Sequence, residues 1–191
     1  IPAKGEISNI FKRKQETPKS TAYMMWHNES MPYSTKNALC ASIAGQILSM
    51  EYLDKIREKE SAAYSVGANG GCSVGKDNYR MFQIFAYCPM KPEKKEVAMR
   101  IMNDEVKNLA NTCDPAKLDK CMELMLNSYH FSQKRYCFWL SIISQYQNLG
   151  IDQYSDYLKT LEALTPQDIC NYMKEFNKSG NHITVAMLPE E

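Results

Sequence analysis

The stretch NYRMFQIFAYC, residues 78–88, constrains the fold more than any other part of the sequence. Two sets of residues alternate along it. One set is suited to packing under helices, and the other mixes aromatic and polar side chains. Such a period of two predicts a β-strand in a sheet with one covered face. The first set is Arg80, Phe82, Ile84, Ala86 and Cys88; the second is Tyr79, Met81, Gln83, Phe85 and Tyr87.

The other elements follow from the same kind of pattern. Residues 21–27, 62–68 and 182–188 have strand composition. A long helix is predicted from about Thr35, capped by Ser34 or Thr35, to residues 57–61, and further helices lie between residues 92 and 180. We therefore expect an α+β domain: a mostly antiparallel sheet of about four strands with helices packed on one face. Residues 1–17 are predicted to be a lead-in, and residues 18–191 a single domain.

Two of the later helices carry specific signals. Residues 136–149, YCFWLSIISQYQNL, are apolar on nearly every side, which predicts a well-buried helix. Thr165, Pro166 and Asp168 form a helix start, with Thr165 as the cap and Asp168 in the first turn. Gly180 is predicted to end that helix.

Charge excludes several function classes. The sequence has 23 Lys and Arg residues against 22 Asp and Glu residues, so no net field favours nucleic acid or an anionic membrane. No apolar run is long enough to cross a bilayer. The chain begins IPAKGEISNIF, without an initiator methionine or a signal-peptide pattern, so we expect it to belong to a longer polypeptide.

The seven cysteines are scattered and form no C-x-x-C pair. They are best interpreted as reduced thiols that serve as small hydrophobic residues. A zinc site at Cys113, Cys121 and His130 is an alternative, although the spacing does not match known zinc motifs. The histidines His27, His130 and His182 belong to no zinc-protease motif and are predicted to be surface or edge residues.

The segment GGCSVGKD, residues 70–77, nearly matches a phosphate-binding loop. Gly70, Gly75 and Lys76 satisfy the pattern, but Asp77 replaces the required Ser or Thr. A phosphate loop also needs a helix that begins at the lysine, whereas the residues after Lys76 predict a strand. The segment is therefore predicted to link two strands of a hairpin, with Lys76 and Asp77 as solvated turn charges, and not to bind a nucleotide.

One pair of residues is a candidate site. Arg57 is predicted at the end of the long helix, and Tyr64 lies in the following strand pattern, within REKESAAY. Both side chains are hydrogen-bond donors that suit a peptide carbonyl or an oxyanion. The alternative is structural, since Arg at a helix end complements the helix dipole and Tyr is common in strands.

The chain resembles the C-terminal, zinc-free domains of the pitrilysin/insulinase family of zinc metallopeptidases, which includes the mitochondrial processing peptidases. The segments that carry the resemblance are TPKSTAYMMWH, YLDKIREKESAAYSV, NYRMFQIFAYC, LTPQDICNYMKEF and HITVAMLPE, in that order. Ser61 departs from the family pattern, in which glycine is common at this position. The resemblance runs from about residue 18 to the end of the chain.

The resemblance implies a role for the pair. In these enzymes the half without zinc supplies an Arg and a Tyr that bind substrate and stabilise the transition state, which correspond here to Arg57 and Tyr64. It implies no cofactor in this chain and a zinc ion in another domain of the parent enzyme. It also implies peptide substrates, a zinc-bearing domain or subunit as partner, and a bacterial periplasmic or secreted location.

Three interpretations stay open from the sequence. The chain is the zinc-free domain of an active metalloendopeptidase, or it is a non-catalytic structural or peptide-binding subunit of the same family. A nucleotide binder is the third, and it rests on residues 70–77 alone. The aromatic and polar face of the strand at 79–88 suits either a wall of a peptide-binding chamber or a contact with a neighbouring domain.

Overall fold

Five strands form a single mixed sheet in the computed structural model, which describes residues 2–75, 77 and 79–190. The order across the sheet is β1-β5-β2-β4-β3. The strands are β1 (Glu6–Arg13), β2 (Ser20–Asn28), β3 (Gly67–Val74), β4 (Arg80–Met90) and β5 (Asn181–Pro189). The α+β class is confirmed, but the sheet has five strands and not four.

The additional strand is β1. The sequence predicted a lead-in over residues 1–17, and this is wrong for Glu6–Arg13, which pairs in parallel with β5. All eight residues of β1 are solvent-exposed at the sheet edge, so this strand lacks the buried face that makes a strand visible in a sequence. The other pairings in the sheet are antiparallel, as predicted.

Six α-helices within the described residues complete the domain. The predicted long helix is confirmed: it begins after Ser34, whose side chain accepts a hydrogen bond from the backbone N–H of Asn37, and it continues as a π-helix over Leu53–Lys59. The helices are α1 (Thr35–Tyr52), α2 (Lys95–Asn108), α3 (Pro115–Ser132), α4 (Tyr136–Leu149), α5 (Tyr157–Glu162) and α6 (Pro166–Asn177).

The core lies between the helices and one face of the sheet. In β4 the alternation is as predicted: Phe82, Ile84, Ala86 and Cys88 are fully buried. The opposite face carries an aromatic cluster in which Tyr23 of β2 lies with its ring centroid 4.7 Å from Tyr87 and 5.8 Å from Phe85. This face is partly exposed to solvent.

The glycine-rich segment is a strand rather than a loop. β3 was predicted at residues 62–68 but covers Gly67–Val74, and the link to β4 is limited to the residues after Val74. The prediction for Lys76 concerns a residue outside the described part of the chain. Because strand β4 begins at Arg80, no described helix follows Gly75 in the manner of a phosphate loop.

Gly70 is required by packing. A Cβ atom at Gly70 would lie 2.0 Å from the carbonyl oxygen of Ala41 in α1, and one at Gly45 would lie 2.0 Å from the backbone nitrogen of Gly70. Helix α1 therefore contacts β3 backbone to backbone, an approach that only glycine permits.

The two helix signals had different outcomes. The start of α6 is confirmed as a capping box, in which the Thr165 side chain accepts from the Asp168 backbone N–H and the Asp168 carboxylate accepts from the Thr165 N–H. Gly180 follows this helix with a φ of 63°. The prediction that residues 136–149 are buried is wrong, because no residue of α4 is buried within this chain.

The cysteines are free thiols, and Cys40, Cys88, Cys113, Cys121 and Cys170 are buried, as the interpretation of hydrophobic thiols requires. Burial raises the pKa of Cys40 and of Cys88 to about 12 in each case, which keeps these thiols protonated. Among the described residues, no helix is both long and apolar enough to span a bilayer.

Candidate functional site

The Arg57–Tyr64 turn, residues 57–64, is held in place by the core. It begins in the π-helix and ends before β3, so Tyr64 lies in a bend and not in the predicted strand. Ile56 and Ala62 are both fully buried. Ala63 forms an isolated antiparallel bridge with Met90 of β4. The turn is thus fixed at both ends, which makes it a defined platform for its side chains.

The backbone of the turn has two unusual features. The π-helix over Leu53–Lys59 is rare in proteins, and such segments often mark functional sites. Ser61 has a φ of 49°, in the left-handed region that favours glycine. Glycine is common at this position in the family that the sequence resembles, and the structure explains why. The Ser61 backbone N–H donates to the carbonyl oxygen of Arg57 at 3.1 Å, which closes the turn.

The two candidate side chains lie together, as the sequence predicted. The guanidinium carbon of Arg57 is 5.6 Å from the centroid of the Tyr64 ring. Tyr64 is 88% exposed, so its hydroxyl is presented to solvent and not to the core. The Nε atom of Arg57 lies 3.4 Å from Oε1 of Glu58, its neighbour in the chain. An exposed cation–π contact of this kind is worth only about 0.5–1 kcal/mol, so stability alone explains little of the arrangement.

This arrangement can bind an acceptor. A guanidinium and a phenol are hydrogen-bond donors, and both side chains reach solvent, with the Glu58 carboxylate as the neighbouring acceptor of Arg57. They can therefore donate to a carbonyl oxygen, a carboxylate or a developing oxyanion. Two donors alone cannot cleave a peptide bond, because neither the nucleophile nor its base is supplied.

The described residues contain no group of three or more His, Cys, Asp or Glu that could hold a metal ion. The three residues of the alternative zinc site lie in different environments. Cys113 and Cys121 are buried, whereas His130 is exposed. Burial also raises the pKa of the Cys113 thiol to about 12, which disfavours the thiolate that would bind zinc. The described part of this chain therefore does not fit a zinc ion.

The histidines are placed differently from each other. His130 is exposed, in agreement with the prediction. His27 was predicted at the surface or an edge, and this is wrong, because it is fully buried under the segment before β1. Its Nε2 atom is 3.2 Å from the carbonyl oxygen of Ala3, and its Nδ1 atom is 3.6 Å from Oε1 of Glu29. His182 stacks on Trp26 at 4.9 Å, and burial lowers its pKa.

Comparison with known proteins agrees with this fold. The family described as Peptidase M16 inactive domain matches residues 1–125, and the chain belongs to this family. Among solved structures, the periplasmic protease PqqL from Escherichia coli superposes with a TM-score of 0.78 at 18% identity. The peptidase M16 inactive domain from Pseudomonas fluorescens superposes with a TM-score of 0.67 at 15% identity.

The solved relatives are longer than this chain. The alignment covers 98% of this chain in both cases, but only 21% of PqqL and 44% of the Pseudomonas fluorescens protein. The ferredoxin protease FusC, solved with Arabidopsis ferredoxin, aligns over 99% of this chain and 21% of its own, with a TM-score of 0.77 and 14% identity. No curated protein matches the sequence at a significant level.

Proposed function

We propose that this chain is the zinc-free domain of a zinc metalloendopeptidase and that it contacts the peptide substrate through Arg57 and Tyr64. The observation that carries the proposal is the pair itself: a guanidinium 5.6 Å from an aromatic ring whose hydroxyl is open to solvent, on a turn fixed by buried neighbours. Membership of an inactive peptidase-domain family supports a role beside the catalytic machinery. The structural relationship to two proteases that are much longer supports a role as one domain of several.

In this proposal the two donors have different tasks. Arg57 orients the substrate backbone and places positive charge beside the scissile carbonyl. Tyr64 donates a hydrogen bond to the oxyanion of the tetrahedral intermediate, an interaction that strengthens as negative charge develops. The zinc ligands and the glutamate base belong to another domain or a partner subunit, since the described residues provide no metal site.

The test is the Tyr64→Phe variant in the complete zinc-bearing protein, assayed with a peptide substrate. Loss of one oxyanion donor lowers kcat by about 10²–10³-fold, and KM should change much less. Tyr154→Phe is the control, because it removes the same hydroxyl from another exposed ring, which lies outside the Arg57–Tyr64 turn. Unchanged kcat in Tyr64→Phe would refute the role of the hydroxyl.

A second candidate is a non-catalytic structural or peptide-binding subunit, which the inactive-domain description of the family favours. The two candidates differ in their consequences for the assembled protein. If the chain only binds or supports, Tyr64→Phe leaves turnover intact, and any change is confined to substrate affinity. In both cases the isolated chain should not cleave peptides when zinc is added, and chelator-sensitive cleavage by the pure chain would contradict both.

A further inference from the structure

Two ion pairs flank Arg57 on the segment that presents it. Lys55, two residues before Arg57, lies with its Nζ atom 2.6 Å from Oε2 of Glu105. Glu60, three residues after Arg57, lies with its Oε2 atom 3.1 Å from Nζ of Lys94. Glu105 belongs to α2 and Lys94 directly precedes this helix, so both ion pairs tie the segment around Arg57 to the same part of the fold.

The Lys55–Glu105 pair is the more buried of the two. The side chain of Glu105 is 10% exposed and that of Lys55 is 34% exposed. Both oxygens of the Glu105 carboxylate have partners, because Asn108 donates a hydrogen bond to Oε1 at 3.0 Å. Burial lowers the pKa of Lys55, but the hydrogen bonds that it donates to Glu105 and Glu51 outweigh this and hold the pKa above its usual value. The ammonium therefore stays charged, and water and salt screen a partly buried pair less than an exposed one.

Helix α3 joins this network through Lys117. The Nζ atom of Lys117 is 2.9 Å from Oδ2 of Asp54 and 2.9 Å from Oε1 of Glu51. Glu51 in turn has its Oε2 atom 3.2 Å from Nζ of Lys55. Asp54 and Lys55 are consecutive residues of the π-helix over Leu53–Lys59. Ion pairs from both α2 and α3 therefore hold this π-helix.

The π-helix determines where the Arg57 side chain points. The Glu60 N–H donates to the carbonyl oxygen of Lys55 at 3.2 Å, a bond that spans five residues instead of the four of an α-helix. A π-helix is a rare backbone geometry, so contacts outside the helix must favour it over an α-helix. Relaxation to the α-helical register would shift the residues beyond Lys55 by one position, which corresponds to a rotation of about 100°. Arg57 would then leave its position beside the Tyr64 ring.

We propose that Lys55 and Glu105 are positioning residues, whose ion pair keeps the π-helix in the register that presents Arg57 beside Tyr64. This inference rests on the proposed function of Arg57 and Tyr64, and it extends that function to two residues that act through the backbone. The alternative is an ion pair that stabilises the whole domain without a particular effect on the turn. The two roles differ in where the structure loosens when the pair is removed.

The test uses the double substitution Lys55→Met/Glu105→Leu. Removal of one partner alone would leave an unpaired, largely buried charge and could unfold the chain. Replacement of both partners by apolar residues of similar size removes this problem and is often neutral for stability. Glu51 keeps Lys117 as its partner in this variant. Glu105→Gln is a milder second variant, because it removes the charge but retains an oxygen that can accept a hydrogen bond.

The first measurement is amide hydrogen exchange of the chain, followed residue by residue by NMR. The reporters are the amides of Glu60, Ser61 and Ala62, which donate the backbone hydrogen bonds that close the π-helix and the turn. We expect these amides to exchange at least about tenfold faster in the double variant, because the turn opens locally. The amide of Ile84, in the core strand β4, should exchange at the wild-type rate.

The second measurement is peptide cleavage by the complete zinc-bearing protein. We expect the double variant to lower kcat at least about tenfold with a smaller change in KM, because a displacement of about 1 Å at a positioned group has effects of this size or larger. Lys55→Arg, which keeps the charge, should retain most of the activity. The control is Lys178→Met/Glu175→Leu, which removes an ion pair of the same 2.6 Å length at the end of α6 and should leave both measurements unchanged.

The exchange data separate this inference from the proposed function on which it rests. Wild-type exchange at Glu60, Ser61 and Ala62 in a folded double variant would overturn the positioning role. Equally faster exchange at these amides and at Ile84, with a lower Tm, would also overturn it, since a purely stabilising pair gives this result. Faster exchange confined to the turn supports the positioning role. If kcat is then unchanged, the ion pair does hold the turn, and it is the proposed function of Arg57 that is wrong.

Discussion

The contact between α1 and β3 leads to a sharp prediction for Gly70→Ala. A Cβ atom at this position would lie 2.0 Å from the carbonyl oxygen of Ala41 and 3.1 Å from the backbone nitrogen of Gly45. Both are main-chain atoms of a helix, so no side chain can rotate away. The helix and strand would have to separate by roughly 1.4 Å to restore ordinary contact, and this would loosen the packing of α1 on β3.

The expected cost follows from that displacement. Overpacking a core lowers the free energy of unfolding by about 1–3 kcal/mol and occasionally more. A clash with the backbone of a buried helix belongs at the upper end of this range. We therefore expect Gly70→Ala to lower the free energy of unfolding by about 3 kcal/mol. For a domain of this size this lowers Tm by about 6–12 °C. Backbone strain does not add to this cost, because Gly70 does not have a positive φ. Among the described glycines, those with positive φ are Gly5, Gly150 and Gly180.

The assay is urea and thermal unfolding followed by circular dichroism. Gly71→Ala is the matched control, since it is the next residue in the same strand and a Cβ there meets nothing within 4 Å. The control should change the free energy of unfolding by no more than about 0.5 kcal/mol. If Gly70→Ala unfolds at the same urea concentration as Gly71→Ala, the packing explanation for the glycine-rich strand is wrong.

Three further predictions concern stability and thiol chemistry. Ser61→Gly should stabilise the chain by about 0.5–1 kcal/mol in urea unfolding, because relief of the left-handed backbone outweighs the added freedom of the unfolded chain; equal or lower stability would contradict this. Burial raises the pKa of Asp168, but hydrogen bonds from Lys36 and Thr165 outweigh it and hold the pKa below its usual value. The stability that this provides is present above about pH 4 and is lost as pH falls through the lowered pKa, so Asp168→Asn should flatten the acid limb of a pH–stability profile. Cys137 is the exposed cysteine, and Cys137→Ser should remove the fast phase of maleimide labelling; an unchanged fast phase would mean that the half-buried Cys72 or a buried thiol reacts as fast.

Features with local causes could be predicted from the sequence. Each helix cap depends on a residue three positions away: Thr165 was predicted correctly, and of the two candidates Ser34 and Thr35 the structure has Ser34 as the cap of α1. The alternation in β4 has a similarly local signal. Arg57 and Tyr64 were predicted to meet across a turn, and they do, although their role in substrate binding stays a prediction.

Features with distant causes could not be predicted. β1 forms because it pairs with β5 at the other end of the chain, where Glu6 lies opposite His182. This pairing leaves no pattern in the residues of β1 themselves. β3 contains glycines because α1 requires close approach, and its strand propensity is therefore low. For α4 the hydrophobicity was recognised correctly, but burial depends on a covering surface that the described residues do not provide. The π-helix had no sequence signal.

The most direct test of the proposed function is a double-mutant cycle at Arg57 and Tyr64 in the complete zinc-bearing protein. It measures kcat/KM for Arg57→Gln, Tyr64→Phe and the double variant on a peptide substrate. Because the guanidinium lies 5.6 Å from the Tyr64 ring, we expect both single variants to lose activity, with a coupling energy of about 0.5–3 kcal/mol between them. Wild-type kcat/KM in all three variants would contradict a role for Arg57 and Tyr64 in catalysis.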